Sequence, residues 1–274
     1  MAGGEPRPRI SVVTVCRNPG ALLRGCLESV AAQGLDDVEH VIIDGASGDG
    51  TVDLLRGWDR HPIAWVSEPD RGISHAFAKG LARATGEVIG LLNADDRYTP
   101  GALARGLAAL DTAPGAGFAF GHCLHRERDG RTWLNYADPA YRSRLATGMP
   151  DVNHPTMLVR RSAYDRVGGY DERWSLAMDY DWLIRAERAG VHGVLVDAVQ
   201  AEMAMGGVSD RRWAAGFAEV RAIAITHGAP RWRATAVFAY RLAKGGVRRV
   251  LVRLGARAAE HRLRRWRQRR IVGR

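Results

Sequence analysis

The stretch "EVIGLLNADDRYTPGALARGLAAL", residues 87–110, decides how this chain is read. An apolar run over 87–92 ends at two adjacent acids, Asp95 and Asp96. A short apolar run without alternation reads as a strand buried on both faces. Pro100 then sits near the start of a helical pattern over 100–110, as proline does in a first turn. Strand, polar turn and helix in that order form one step of an α/β layer. Two carboxylates side by side raise each other's pKa, so the turn asks for something positive. One acid would serve as a helix N-cap, which leaves the second without a role. The alternative is a divalent cation, Mg²⁺ or Mn²⁺, which takes hard oxygen ligands.

Upstream, the same alternation repeats. Residues 9–16 ("RISVVTVC"), 38–44 ("VEHVIID") and 62–68 ("PIAWVSE") read as strands; 19–33, 51–58 and 73–85 read as helices. The order predicts an α/β fold with a mostly parallel sheet flanked by helices. Ligands of such sheets bind beyond the carboxyl ends of the strands, and these ends read "CRN", "DGASGDGT", "SEPDRG" and "NADD". Downstream, strands are expected over 117–121, 131–137, 154–161 and 192–203. A helix is expected over 179–190, a loop over 138–153, and a glycine turn at 205–210 before a helix to about His227.

Composition narrows the class. The 274 residues suit one large domain with an appendage. Cys16, Cys26 and Cys123 lack framework or metal spacing, which points to reduced thiols. The first ten residues carry no signal-peptide pattern, and no apolar run reaches the ~18 residues a membrane span needs. These features predict a cytoplasmic protein. Charge is uneven. Residues 231–274 hold 15 Lys or Arg against Glu260 alone, a net of +14, so the first 230 residues carry −4 of the chain's +10.

Other candidates lie at the strand ends. Asp44 would point into the crevice, where a carboxylate accepts hydrogen bonds from a ribose or a base. Ser47 to Thr51 read as a turn and helix cap. Glu68, Asp70 and Arg71 precede the third helix. His154 has three readings: a satisfied buried histidine, an acceptor-binding group, or a metal ligand.

Eight pieces in order resemble the inverting glycosyltransferases of the GT-A fold, family 2: "SVVTVCRN", "CLESVAAQ", "VIIDGASGDGT", "SEPDRGI", "KGLARATGEVIGLLNADD", "HPTMLVRR", "VGGYDE" and "MDYDWLIR", across residues 9–210. The resemblance implies a nucleotide-sugar donor (UDP-, GDP- or dTDP-linked) and a divalent metal. It implies donor binding by Thr14, Cys16, Asn18, Asp44, Asp70, Arg71 and Asp95, metal binding by Asp95 and Asp96, and a catalytic base at Asp179. The family often has Glu-Asp where this chain has Met178-Asp179, and Asp181 is the rival. It implies a GT-A domain over 1–230, with a nucleotide-sugar half at 9–115 and an acceptor half at 116–230; the charge of 231–274 marks that segment as a basic helical tail. The acceptor would be a glycan or a lipid-linked hydroxyl. Independently of the resemblance, residues 247–258 read as a basic amphipathic helix and 262–270 as a denser charge cluster, so 241–274 is expected to meet an anionic membrane at the inner face of the plasma membrane. Nucleic acid is disfavoured, because no groove-reading or stacking motif accompanies the charge. A nucleotidyltransferase would show a glycine-rich basic loop after strand one, where "CRNPGALL" has one glycine; no G-x-G-x-x-G dinucleotide fingerprint occurs. A non-catalytic nucleotide-sugar or polyanion binder stays open.

Overall fold

A computed structural model describes residues 7–127, 129–146 and 148–253. Contacts divide the chain into two compact units, one holding residues up to Leu145 and Met149–Arg211, the other Ala146–Gly148 and the chain from Arg212 on. The boundary expected at 230/231 falls inside the second unit.

The first unit is built on a nine-stranded mixed sheet. Strands β1 (Ile10–Cys16), β2 (Val38–Asp44), β3 (Ala64–Ser67) and β4 (Val88–Asn93) pair in parallel, in the order β3-β2-β1-β4. Helices α1 (Leu22–Ala31), α2 (Thr51–Arg56) and α3 (Ile73–Arg83) make the crossovers. Ile10, Val12 and Leu92 pack on one face with Cys26 and Val30 of α1 and with Leu103 and Leu107 of α4 (Ala102–Thr112). α3 packs on β1 and β2, and Gly80 brings it so close to Val13 that a side chain there has no room. All three cysteines are free and buried.

The second half departs from the expected pattern in four places. A two-residue strand, β5 (Arg97–Tyr98), follows the acids directly. β6 runs from Phe118 to Arg126, five residues past Gly121, and pairs with β7 (Thr132–Asn135). The expected loop over 138–153 contains α5 (Tyr141–Leu145). The segment expected as one strand over 154–161 begins as a 3₁₀ turn, His154–Thr156, and only Leu158–Arg160 is strand, β8. Proline at 155 suits the turn. Arg161 already starts α6 (Arg161–Val167). β8 runs antiparallel between β4 and β6.

The arginines of this segment work as clamps. Arg161 donates to the carbonyls of Ala84 and Gly86 just past α3, while Arg160 donates to Leu110 O of α4 and to Ala116 O. Cations at helix C-termini meet unpaired carbonyls and the negative end of the dipole. After α7 (Met178–Arg188), β9 (Gly193–Ala204) pairs in parallel with β6 across a bulge at His122, then antiparallel with β5. Thus β9 returns to the acidic turn. A short helix, α8 (Val208–Arg211), ends this unit. The second unit contains α9 (Trp213–Thr226) packed on α10 (Arg231–Arg253). The remainder of the tail expected over 231–274, residues 254–274, lies outside the described residues. Among the described residues no helix is long and apolar enough to cross a membrane.

His40 carries a pH dependence. Trp58 Nε1–H donates to His61 Nδ1 (3.1 Å), which leaves His61 Nε2 as donor to His40 Nδ1 (2.9 Å) and His40 Nε2 as donor to Thr14 Oγ1 (2.9 Å). Protonating His40 would set two N–H groups against each other. Burial, then the neighbouring His61, lowers the His40 pKa to about 3. Below the usual value of 6.5 the unfolded chain binds a proton that the folded chain refuses, so this contribution to stability is full above pH 6.5 and falls as pH drops toward 3. Urea midpoints at pH 7.5 and 5 should show a loss of about 2 kcal/mol from this residue, largely removed in His40→Gln. Equal pH slopes in the two proteins would contradict it.

Candidate functional site

The carboxyl ends of the parallel strands lie level: Cys16 opposite Asp44, Asp44 opposite Ser67, and Val15 opposite Asn93. The loops that follow therefore share one edge of the sheet. Asn18, in the left-handed region at φ 48°, donates its N–H to Ser47 Oγ (2.7 Å) and accepts from Gly48 N–H (2.9 Å). Asp49 accepts from Gly20 N–H (2.7 Å). These bonds zip the first loop to the second.

Asp44 is fully buried. One oxygen accepts from Ser47 Oγ and from the Cys16 thiol (3.5 Å); the other accepts from Ser47 N–H (2.9 Å) and Ser67 Oγ (2.6 Å). All four bonds come from the protein itself, so in this arrangement Asp44 holds the shape of the strand ends. Asp70 accepts from Gly72 N–H (2.8 Å), and its other oxygen lies against Gly45, where a Cβ would have no room. Arg71 forms an exposed ion pair with Glu172 (2.6 Å). The structure thus gathers Asn18, Asp44 and Asp70. It does not bring the Thr14 side chain to the edge: that hydroxyl is fully buried against His40 and Cys26. The Cys16 side chain is likewise buried, and burial next to Asp44 pushes its thiol pKa up. An alternating strand turns residues 14 and 16 to the same side, here toward α1 rather than toward the opening.

The acidic pair is at the end of β4. Asp96 is buried, with Asn93 Nδ2 donating to one oxygen (3.0 Å) and Ala204 N–H to the other (3.0 Å). Asp95 is half-buried, and a side chain at Gly207 would lie 3.3 Å from its Oδ2. Burial raises both pKa values, and Asp95 raises that of Asp96 further. The described cation acting on both is Arg126, at the end of β6. Its Nε and Nη2 are buried without hydrogen-bond partners, with Glu202 3.5 Å away. Sequence reading missed Arg126 because it stopped β6 at Gly121. The bulge at His122 breaks the two-residue alternation that would have carried the strand on.

No group of three or more His, Cys, Asp or Glu side chains among the described residues could hold a metal alone. The pair nonetheless fits a hard divalent ion: its donors are carboxylate oxygens, their charge is poorly tolerated by burial, and beside them Asn93 Oδ1 is buried without a partner. Magnesium-type ions take one or two carboxylates and complete their shell with phosphate and water.

Asp179 opens α7, is nearly buried, and accepts from Tyr180 N–H (2.9 Å). Its charge acts on Tyr170, whose ring lies 5.8 Å from that of His154. Asp181 is instead tied to Arg185 (2.7 Å), which also donates to Val167 O and Gly169 O. That network ties α7 to Val167 and Gly169 at the end of α6 and commits the Asp181 carboxylate to Arg185. His154 does not fit the first of its three readings, a satisfied buried histidine: its Nε2 is buried without a hydrogen-bond partner, and burial lowers its pKa to about 4.

The sequence model of Glycosyl transferase family 2 matches residues 11–168. An uncharacterized glycosyltransferase of Mycobacterium tuberculosis is 30% identical over 223 residues, 80% of this chain and 84% of that one. A mannosyltransferase of Pyrobaculum calidifontis, solved with GDP-Man and Mn²⁺, superposes with a TM-score of 0.64 at 22% identity over 93% of this chain and 81% of its own. TarS 1–349 of S. aureus, solved with UDP-GlcNAc, gives 0.59 at 15% identity, covering 85% and 71%. Both likenesses establish the fold.

Proposed function

The chain belongs to glycosyl transferase family 2 and transfers sugar from a nucleotide-sugar donor to an acceptor, and on that premise we propose a metal-dependent, inverting reaction with Asp179 as general base. The observation that carries the metal part is the pair Asp95–Asp96, packed where burial opposes their charge and flanked by Arg126. The Mn²⁺ and GDP-Man held by the Pyrobaculum enzyme support the same reading. The pair would hold Mn²⁺ or Mg²⁺, which supplies charge stabilisation for a departing diphosphate.

The chain's own residues do the rest. Asn18, Asp44 and Asp70 hold the strand-end loops that would receive the nucleoside. Arg126, whose Nε and Nη2 make no hydrogen bond although Glu202 lies 3.5 Å from Nε, would donate to the diphosphate. Asp179 takes the proton from the acceptor hydroxyl. The acceptor oxygen forms its bond to the anomeric carbon from the face opposite the leaving group. The bond from that carbon to the phosphate oxygen breaks, and its electron pair leaves with the nucleoside diphosphate. One displacement inverts the centre, so no covalent nucleophile is required. In this reading His154, whose Nε2 is buried without a hydrogen-bond partner, would accept a hydrogen bond from an acceptor hydroxyl. A glycan or lipid-linked acceptor fits this reading.

Thermal shifts with UDP-, GDP- and dTDP-sugars, each with Mn²⁺ or chelator, test it. One nucleotide class should stabilise the protein only with metal, by roughly 2.7 kcal/mol at a hundredfold excess over Kd. Stabilisation that persists in chelator would reject metal dependence, and none with any donor would reject the donor site.

A further inference from the structure

α10 has two apolar sides, and packing within its unit uses one. Ala234, Val237 and Phe238 line the α9 contact together with Phe217, Val220 and Ala224, and Arg221 donates across it to Thr235 Oγ1 (3.0 Å). The other side carries Trp232, Ala236, Ala239, Tyr240, Ala243 and Val247, all exposed. The spacing i, i+4, i+7, i+8, i+11, i+15 puts them along one face of a helix. Exposure is 75% at Trp232, 61% at Tyr240 and 60% at Val247; besides these, only Leu22 among the described residues is a large apolar side chain so exposed. A contiguous exposed apolar face marks an interaction surface.

We infer that this outer face of α10 seats the protein on an anionic lipid surface. The charge arrangement selects the partner. Arg231 and Arg233 flank Trp232 about a quarter-turn or more to either side, so the cations border the apolar stripe instead of occupying it. A helix that tracks a nucleic-acid backbone would centre its cations on the contact. An interfacial helix centres Trp, Tyr and aliphatic groups in the acyl boundary and keeps cations at headgroup level. The sequence from 248 to 274 adds 11 Arg against Glu260, which strengthens attraction to anionic headgroups. The inference stands apart from the catalytic reading, because lipid binding is measured without donor or turnover.

Flotation of the full chain with vesicles of phosphatidylcholine containing about a third phosphatidylglycerol, and with phosphatidylcholine alone, tests it. The protein should float with the anionic vesicles and lose most of that binding on the neutral ones. Trp232→Ala/Tyr240→Ala, both at exposed positions, should keep the melting temperature and weaken partition about tenfold or more. Four outcomes would overturn the inference. These are equal flotation of wild type and double variant, no flotation of either, a wild-type dimer that the double variant disperses, and binding to polyuridylate without binding to vesicles.

Discussion

Asp179→Asn is expected to lower kcat roughly 10²- to 10⁴-fold, the usual contribution of a positioned general base, while the donor still binds. The fold should tolerate the change. Asp179 Oδ1 accepts the N–H of Tyr180, and the amide oxygen of asparagine can accept the same bond at the start of α7. What asparagine cannot do is take the proton from the acceptor hydroxyl. A drop in kcat with donor affinity unchanged, measured by titrating the nucleotide sugar in the presence of Mn²⁺, separates loss of the base from loss of the site. Asp181→Asn gives the opposite signature. It breaks the pair with Arg185 that anchors the carbonyls of Val167 and Gly169, so it should lower the melting temperature first and activity only through it. An Asp179→Asn enzyme with wild-type kcat would remove this residue from the chemistry.

The difference between these two acids shows where sequence stops being informative. Spacing along a helix says only that Asp179 and Asp181 point apart. Which one is committed to structure depends on Arg185 and on carbonyls from another segment, contacts that no local pattern encodes. The parallel half was legible for the opposite reason. Buried parallel strands read as uninterrupted apolar runs, and β1, β2 and β4 appear within a residue or two of where those runs lie. Strand-end chemistry followed, because the topology alone assigns the carboxyl edge. For Thr14, which only the resemblance had put in the donor site, the sequence does not say which way the side chain faces; the pleat turns that hydroxyl toward His40. Legibility failed at Arg126 and at Ala204, whose N–H completes the setting of Asp96. Both arrive through β6 and β9, paired across a bulge about 75 residues apart in sequence, and short-range periodicity carries no signal of such pairing. The two arginines of "VRR" were legible as a motif and silent as to cause; the structure gives them the ends of α3 and α4.

Asp96→Asn should separate stability from function in opposite directions. Without metal or donor, Asp96 is a buried carboxylate beside Asp95, and both desolvation and like charge oppose its ionisation. Asparagine removes that charge at nearly the same shape. Its amide oxygen can keep the bond from Ala204 N–H, and its NH₂ would face Asn93. Rotating the Asn93 amide then presents Oδ1 to that NH₂ and moves Nδ2 to the place without a partner, so the bond between the two side chains is kept and the number of unpartnered groups is unchanged. In chelator the variant should therefore be more stable than wild type, on the order of 1–2 kcal/mol by urea titration. In Mn²⁺ with the cognate nucleotide sugar the order should reverse, because the variant lacks an oxyanion that the cation needs and gains little from ligand. Transfer should fall roughly a thousandfold, the scale of losing several kcal/mol of charge stabilisation at the leaving diphosphate. Chelator reads the acid pair with no cation to neutralise it, and Mn²⁺ with donor reads it with one. A variant less stable than wild type in both would mean that the carboxylate is held for the fold, and a variant stabilised by donor and Mn²⁺ as fully as wild type would mean that the cation is not held by Asp96.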